Sequence, residues 1–394
     1  MRRLSSLAVF MLLVAPALGG DKAKTKIKFR KVQLDAAFRS EGVAVGDFNK
    51  DGKMDIAAGF VWYEAPKWKM HPILAKTPNY KPKGYSNSFA NFAHDVNGDG
   101  WTDLLVVDFP GTPTWWFENP KNAKGAWKRH VCTPVSNNES PQLLDLDGDG
   151  KKELIMAYSP DTKKPDGPNR RMAYIKPTRD PYSPWKIFPI STKAAPGTRK
   201  YSHGLGAGDV NKDGRNDILC GSGWWESPKK GTADKGLWKF HPAPFGKRSA
   251  QMYVYDFDGD GDNDVLSSSP HNYGIRWHEQ QKNGEWKTHL IDKSYSQTHG
   301  ICFADINGDG LMDFVTGKRW WAHGGSDPGG NDAAVFYWYE LRRSGGKAKW
   351  IAHQFDHNSG PGTQFELADV NGDGLIDVVT SNKKGVHYFQ QTRK

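Results

Sequence analysis

One nine-residue pattern recurs seven times in this 394-residue chain and constrains its fold more than any other feature. The copies read Asp47-Phe-Asn49-Lys-Asp51-Gly-Lys-Met-Asp55, Asp95-Val-Asn97-Gly-Asp99-Gly-Trp-Thr-Asp103 and Asp145-Leu-Asp147-Gly-Asp149-Gly-Lys-Lys-Glu153. They continue as Asp209-Val-Asn211-Lys-Asp213-Gly-Arg-Asn-Asp217 and Asp256-Phe-Asp258-Gly-Asp260-Gly-Asp-Asn-Asp264. The last two are Asp305-Ile-Asn307-Gly-Asp309-Gly-Leu-Met-Asp313 and Asp369-Val-Asn371-Gly-Asp373-Gly-Leu-Ile-Asp377. Oxygen-bearing side chains stand at positions 1, 3, 5 and 9, with glycine at 6. A hard cation such as Ca²⁺ takes six to eight oxygens, and a short loop supplies them only if it curls tightly. Glycine at the sixth place permits the curl.

The surrounding unit repeats as well. Successive first aspartates are 48, 50, 64, 47, 49 and 64 residues apart, so two units carry insertions. Each loop is followed by an apolar strand, such as Leu104-Leu-Val-Val107, and then by an aromatic strand, such as Trp224-Trp-Glu226. A fourth strand begins with Trp and usually has His three residues on: Trp68/His71, Trp127/His130, Trp238/His241, Trp286/His289 and Trp350/His353, with Trp185/Phe188 as the variant. That column has six members. Ile27–Leu34 has the same pattern, with Ile27 and Arg30 in the Trp and His places. Four strands per period of this length fit a propeller blade. The expectation is an all-β, seven-bladed β-propeller of four-stranded blades over residues 26–394, its last blade closed by the N-terminal strand at 26–34.

Residues 1–20 read as a secretory signal: Arg2 and Arg3, an apolar run from Leu7 to Leu18, then small residues. The run is short for a membrane span, and no later segment is apolar enough for one. A secreted or periplasmic protein is expected. Cys132, Cys220 and Cys302 are too few and scattered for a disulfide framework and read as buried thiols. The formal charge of +10 favours polyanions such as acidic or sulfated polysaccharide, or a cell surface. No nucleic-acid-binding signature accompanies it. A monomer is expected.

The motif copies, each after a Gly/Ala-rich strand such as His203-Gly-Leu-Gly-Ala-Gly208, resemble FG-GAP repeats of the VCBS type. The resemblance covers essentially the whole chain beyond the leader. It implies a propeller with up to seven structural Ca²⁺ sites, one per loop. It does not imply one function, because propellers host lyases, dehydratases, lectins and adhesion modules. Glu153 departs from the pattern by its length, and Lys50 and Lys212 place cations inside two loops.

A ligand site is expected at the channel mouth opposite the loops, where each first strand begins. The residues six before each first aspartate are Glu41, Phe89, Glu139, His203, Ala250, His299 and Thr363. Two Glu and two His at symmetric places suit a further divalent metal or a general base; packing is the alternative. The insertion after Val315 adds Lys318, Arg319, Trp320, Trp321 and His323, cations and rings of the kind a sugar site needs, with a solvated basic loop as the alternative. His271 and Tyr273 share this face, as do Arg39, Arg199, Lys200 and Arg248. The insertion from Ser159 to Arg171 reads as plain loop. The expected catalytic set is His203, His299, Lys318, Arg319 and His323. The ligand-binding set is Glu41, Glu139, His271, Tyr273, Trp320 and Trp321. Two functions follow: binding and processing of anionic carbohydrate by a lyase or dehydratase reaction, as in the propeller portion of sugar dehydratases and polysaccharide lyases, or non-catalytic binding by a lectin, adhesion or protein-interaction propeller.

Overall fold

The computed structural model describes residues 26–229, 235–246 and 249–393; the expected leader at 1–20 and Arg248 lie outside them. The motif loops connect antiparallel strands. In the sixth unit Ile301–Ala304 runs into the loop and returns as Asp313–Gly317, with Ala304 opposite Asp313. Phe336–Arg343 and Ala348–Asp356 then extend the sheet outward. The first strands of neighbouring units lie side by side about an axis, and Phe365–Ala368 of the last unit lies beside Ala44–Gly46 of the first. Val43 and Val45 N–H donate to the side chains of Gln364 and Glu366 across that junction, both at 2.8 Å. The fold is an all-β propeller.

Counted as separate four-stranded sheets, the described residues form five where seven were expected. The other eight strands make one sheet, because Leu205–Gly208 and Gln251–Tyr255 pair in parallel at Leu205↔Gln251 and Gly206↔Met252. Glycine allows the approach. A Cβ on Gly206 would stand 2.4 Å from the Met252 carbonyl oxygen, and one on Gly208 2.6 Å from Val254 Cβ.

Ile27–Asp35 pairs antiparallel with Gly385–Arg393 at the edge of the sheet that holds the seventh loop. The register corrects the sequence alignment by two residues. Trp338 faces His353 in the sixth unit, and its counterpart Tyr388 faces Val32. Phe29 and Val32, rather than Ile27 and Arg30, therefore hold the Trp and His places. Phe29 packs its ring 4.5 Å from that of Phe355. A shift of two keeps the same face inward, so the pairing with Tyr388, not burial, separates the two registers.

Second strands are buried on both faces, which is why they read as unbroken apolar runs rather than alternating ones; Leu104 to Val107 is fully buried. Farther out, each fourth-strand His stacks on a third-strand Trp, with ring centroids 4.2–4.4 Å apart for Trp62/His71, Trp116/His130, Trp224/His241, Trp277/His289 and Trp338/His353. The His Nε2 also meets a Glu two residues beyond the Trp, as in His353–Glu340 at 2.9 Å. The third unit breaks this rule in a correlated way. Phe188 replaces His and stacks on Tyr174, while Lys176 replaces Glu. Lys176 Nζ turns into the third loop, against Asp147 and within 3.2 Å of Asp149 and of Glu153.

The ninth-position carboxylates point inward. Asp313 accepts N–H bonds from Ile306 of its own loop at 3.1 Å and from Leu341 at the third strand at 2.8 Å. Asp55, Asp103, Asp217, Asp264 and Asp377 repeat this double contact. Burial pushes Asp103, Asp217, Asp264 and Asp313 up to about 7 against the pull of those N–H groups.

Removing residues 27–35 exposes the edge of Gly385–Arg393 and uncovers part of its core. The truncated chain is expected to melt roughly 10 °C or more below the parent in a calorimetric scan. An unchanged melt would show that this strand contributes nothing to the ring.

Candidate functional site

The beginnings of the first strands converge at one end of the axis. Glu41 and His299 are buried there, Glu139 nearly so, and His203 is half-buried. The Glu41 backbone is held by Thr363, whose N–H reaches the Glu41 carbonyl at 2.7 Å.

His203, His271 and His299 present ring nitrogens within 4.8 Å of one another. His203 Nε2 lies 3.0 Å from His271 Nε2 and 3.2 Å from Glu139 Oε2. The other nitrogen of each ring is occupied. His203 Nδ1 meets the Tyr201 carbonyl at 2.8 Å, and His271 Nδ1 meets Asp327 Oδ2 at 2.9 Å. Asp327 also receives Gln297 Nε2 at 3.0 Å and faces His323 Nδ1 at 3.1 Å. His323 stacks on His271 with centroids 4.5 Å apart. It does so from a left-handed backbone, φ +49°, beside Trp321 at φ +77°, a strain of the kind that collects at functional loops. Burial holds His271 down at about 4 and His299 well below the ordinary imidazole range, so both are neutral at pH 7. Glu139 is also buried, but His203 and Arg319 outweigh that and hold it down at about 2.

Lys318 and Arg319, expected in the catalytic set with a solvated basic loop as the alternative, are inside. Arg319 is buried, with its guanidinium against Glu41 and 3.9 Å from Glu139. Lys318 is fully buried and donates to Gln297 Oε1 and the Gly330 carbonyl, each at 3.1 Å; burial pushes it down to about 8. It braces the insertion and does not line the cavity. Trp320 and Trp321 stack on each other, 5.5 Å between centroids, with Lys384 over Trp320 and Asn331 bonded to Trp321, and neither lines the cavity. Tyr273 packs near Gly329 of the insertion, and Arg39 pairs with Asp35 at 2.7 Å; neither lines the cavity.

The cavity itself has a volume of about 790 Å³. Glu139, His203, His271 and His323 line it, with Phe109, Tyr85 and Tyr201 as aromatic walls and Arg170, Arg199 and Lys200 as cations. Lys200 Nζ lies over the Tyr201 ring at 4.7 Å and the Phe109 ring at 5.7 Å. The insertion expected to be plain loop thus supplies Arg170, and its Asp166 pairs with Arg199 at 3.3 Å. Tyr85, Phe109, Arg170, Gln297 and Asp327 were missed by the sequence reading. Only Asp327 carried a visible signal, four residues after His323 within the same period-breaking insertion.

A family model described as an FG-GAP-like repeat matches residues 95–156 and 256–316, which hold the second, third, fifth and sixth motif copies. No curated protein sequence matches the chain. Among solved structures, it is similar to an Agrocybe aegerita lectin that recognises non-reducing terminal N-acetylglucosamine (TM-score 0.47, 13% identity, 93% of this chain and 86% of that one). It is also similar to the rhamnogalacturonan lyase YesW (TM-score 0.44, 14% identity, 95% and 74%) and to a Bacillus licheniformis rhamnogalacturonan lyase (TM-score 0.44, 13% identity, 92% and 75%). The chain carries FG-GAP-like repeats on a β-propeller, and no helix among the described residues is long and apolar enough to cross a membrane.

Arg319 and Glu41 form a buried pair, so removing one partner strands a charge. Arg319→Ala is expected to cost roughly 3–5 kcal/mol in urea unfolding. Glu41→Gln combined with Arg319→Met should recover most of that loss. If the single change costs nothing, the pair is not structural.

Proposed function

We propose that this chain is a secreted, calcium-stabilised propeller whose axial cavity binds an anionic carbohydrate and removes a proton from it in a lyase or dehydratase reaction. The observation that carries this is the cavity: aromatic walls, three cations and a histidine–carboxylate floor in one enclosure. Rings such as Tyr201 and Phe109 offer faces for a pyranose, and Arg170, Arg199 and Lys200 suit a carboxylate or sulfate. His323 is the base. Asp327 orients it through Nδ1, which leaves Nε2 to take a proton α to a carboxylate or carbonyl. The elimination then breaks the bond to the β-substituent, and the electron pair leaves with it.

The eight-stranded sheet is read as two blades bridged at Gly206, which makes seven, with Ile27–Asp35 closing the last. The motif loops are read as calcium loops. Asp256, Asp258 and Asp260 bring carboxylate oxygens within 4.8 Å of one another, a donor set that fits a hard cation. Asp145, Asp147 and Glu153 do the same, but the Lys176 ammonium sits among them. Lys176 thus takes the cation's place in the third loop. Lys176→Ala is expected to raise bound calcium by one ion per chain in elemental analysis; an unchanged count removes this account.

The test of function is the purified protein, with calcium, against uronate, sulfated and keto-sugar substrates, following unsaturated-product absorbance. Turnover should vanish in His323→Ala while binding persists. Arg199→Ala with Lys200→Ala should weaken binding roughly tenfold, about the worth of one charged contact. Binding without turnover in the parent would make the protein a lectin. Absence of binding to the whole panel would overturn the carbohydrate reading.

A further inference from the structure

The pairing of His203 with His271 poses a problem that the proposed reaction does not solve. Each ring's Nδ1 faces an acceptor that takes a proton: the Tyr201 carbonyl at 2.8 Å for His203, the Asp327 carboxylate at 2.9 Å for His271. With both rings uncharged, these contacts suit an N–H at Nδ1 and present a lone pair at each Nε2. The two Nε2 atoms then point at each other across 3.0 Å. Lone pairs at that distance repel unless something positive lies between or beside them. Glu139 Oε2, 3.2 Å from His203 Nε2, adds a third electron-rich atom.

His299 supplies the independent observation. It is 2% exposed, and among the described residues neither ring nitrogen has a hydrogen-bond partner of acceptable geometry, the Gln297 backbone being the one group whose pull on the ring is felt. A buried imidazole with two unsatisfied nitrogens is costly. Its ring stands near-perpendicular to the other two, at 62° to His203 and 90° to His271, with centroids 5.2 and 4.8 Å away. Rings packed for stacking would lie parallel, as His271 and His323 do at 15°. Three imidazoles meeting at steep angles with donor atoms converging are arranged for a common ligand.

We propose that His203, His271 and His299, with Glu139, bind one divalent first-row transition ion at the floor of the axial cavity. Nitrogen-rich donors of this kind suit Zn²⁺, Mn²⁺, Fe²⁺ or Co²⁺, whereas Ca²⁺ takes oxygen. The Asp327–His271 contact is the carboxylate–histidine arrangement that orients a metal-bound imidazole, and Gln297 in turn holds Asp327. Glu139, His203 and His271 line the cavity, so an ion held there is within reach of a bound molecule. The site is distinct from the motif loops in place and in donor chemistry. It stands whether or not the cavity takes a sugar.

The experiment is Co²⁺ titration of the purified full-length chain, kept in millimolar calcium and stripped of transition metals by phenanthroline, without any carbohydrate. One Co²⁺ per chain is expected, with visible d–d bands that calcium does not displace, and Zn²⁺ should compete them away. His203→Ala and His271→Ala should each weaken binding at least a hundredfold. Asp327→Asn should weaken it ten- to a hundredfold with the stoichiometry unchanged, as second-shell changes do. His353→Ala, in the Trp-stacked column, should bind as the parent does. His299→Ala may be used where circular dichroism shows it folded; the other variants do not depend on it. No Co²⁺ spectrum in the parent, or one that survives in both His203→Ala and His271→Ala, would overturn the site and leave a proton shared between the two rings instead. Because no sugar is present, neither result bears on the carbohydrate reading, and failure of the sugar panel leaves this one intact.

Discussion

The ring depends on the inward carboxylate that ends each motif. A blade has to turn from its first strand to its second within nine residues and then keep its third strand in register. Asp313 does both at once by accepting N–H bonds from Ile306 and Leu341. The loop curls because position 1 gathers the backbone N–H groups of positions 4, 5 and 6, as Asp305 does for Gly308, Asp309 and Gly310. Each unit thereby concentrates negative charge at one end of the ring. Burial already lifts several of the ninth-position carboxylates to about 7, so positive charge near the loops is stabilising wherever it comes from.

The third unit shows how that requirement is met when the sequence changes. Glu153 is longer than Asp, and one of its oxygens still takes the Leu146 N–H at 2.8 Å. Its other oxygen faces Lys176. In the regular units that strand position is a Glu that engages the fourth-strand His. With Phe188 in the His place, a Glu there would have no partner, and Tyr174 stacks on Phe188 without one. The Glu-to-Lys and His-to-Phe exchanges are therefore one change, and the released position serves the loop instead. This coupling is visible in the sequence once the columns are aligned.

Much of the architecture was legible because repetition multiplies weak signals: a single Asp-rich loop is ambiguous, and seven in phase are not. What repetition could not supply is how neighbouring units meet. The parallel bridge at Leu205 and Gly206 arises from two glycines whose meaning lies in a strand 46 residues away. The N-terminal strand aligned two places off because Ile27 and Phe29 both suit an apolar column, and only pairing with Tyr388 separates them. At the axial end, the column of Glu41, Glu139, His203 and His299 was legible from register alone. Arg170, Tyr85 and Phe109 were not, since they come from loops with no internal period. Lys318 and Arg319 read in sequence as site cations or as a solvated basic loop, yet Glu41, Gln297 and the Gly330 carbonyl hold them inside.

A near-symmetric ring makes departures from symmetry informative. The seven positions of the axial column recur in step with the motif, so a purely structural column would carry one residue type, as the Trp–His column nearly does. Instead the column holds Phe89, Ala250 and Thr363 beside Glu41, Glu139, His203 and His299. The two long insertions also reach this end: one supplies Arg170, the other His323, Asp327 and Arg319. Arg319 is spent on Glu41 and lies 3.9 Å from Glu139, which His203 Nε2 also meets at 3.2 Å. Burial keeps His271 and His299 uncharged, and the contacts at Tyr201 and Asp327 aim the remaining lone pairs inward. An arrangement that spends a glutamine and an aspartate on holding His271, and buries His299 with neither ring nitrogen paired among the described residues, stabilises no fold by itself. Its energetic sense lies in the ion proposed for that site.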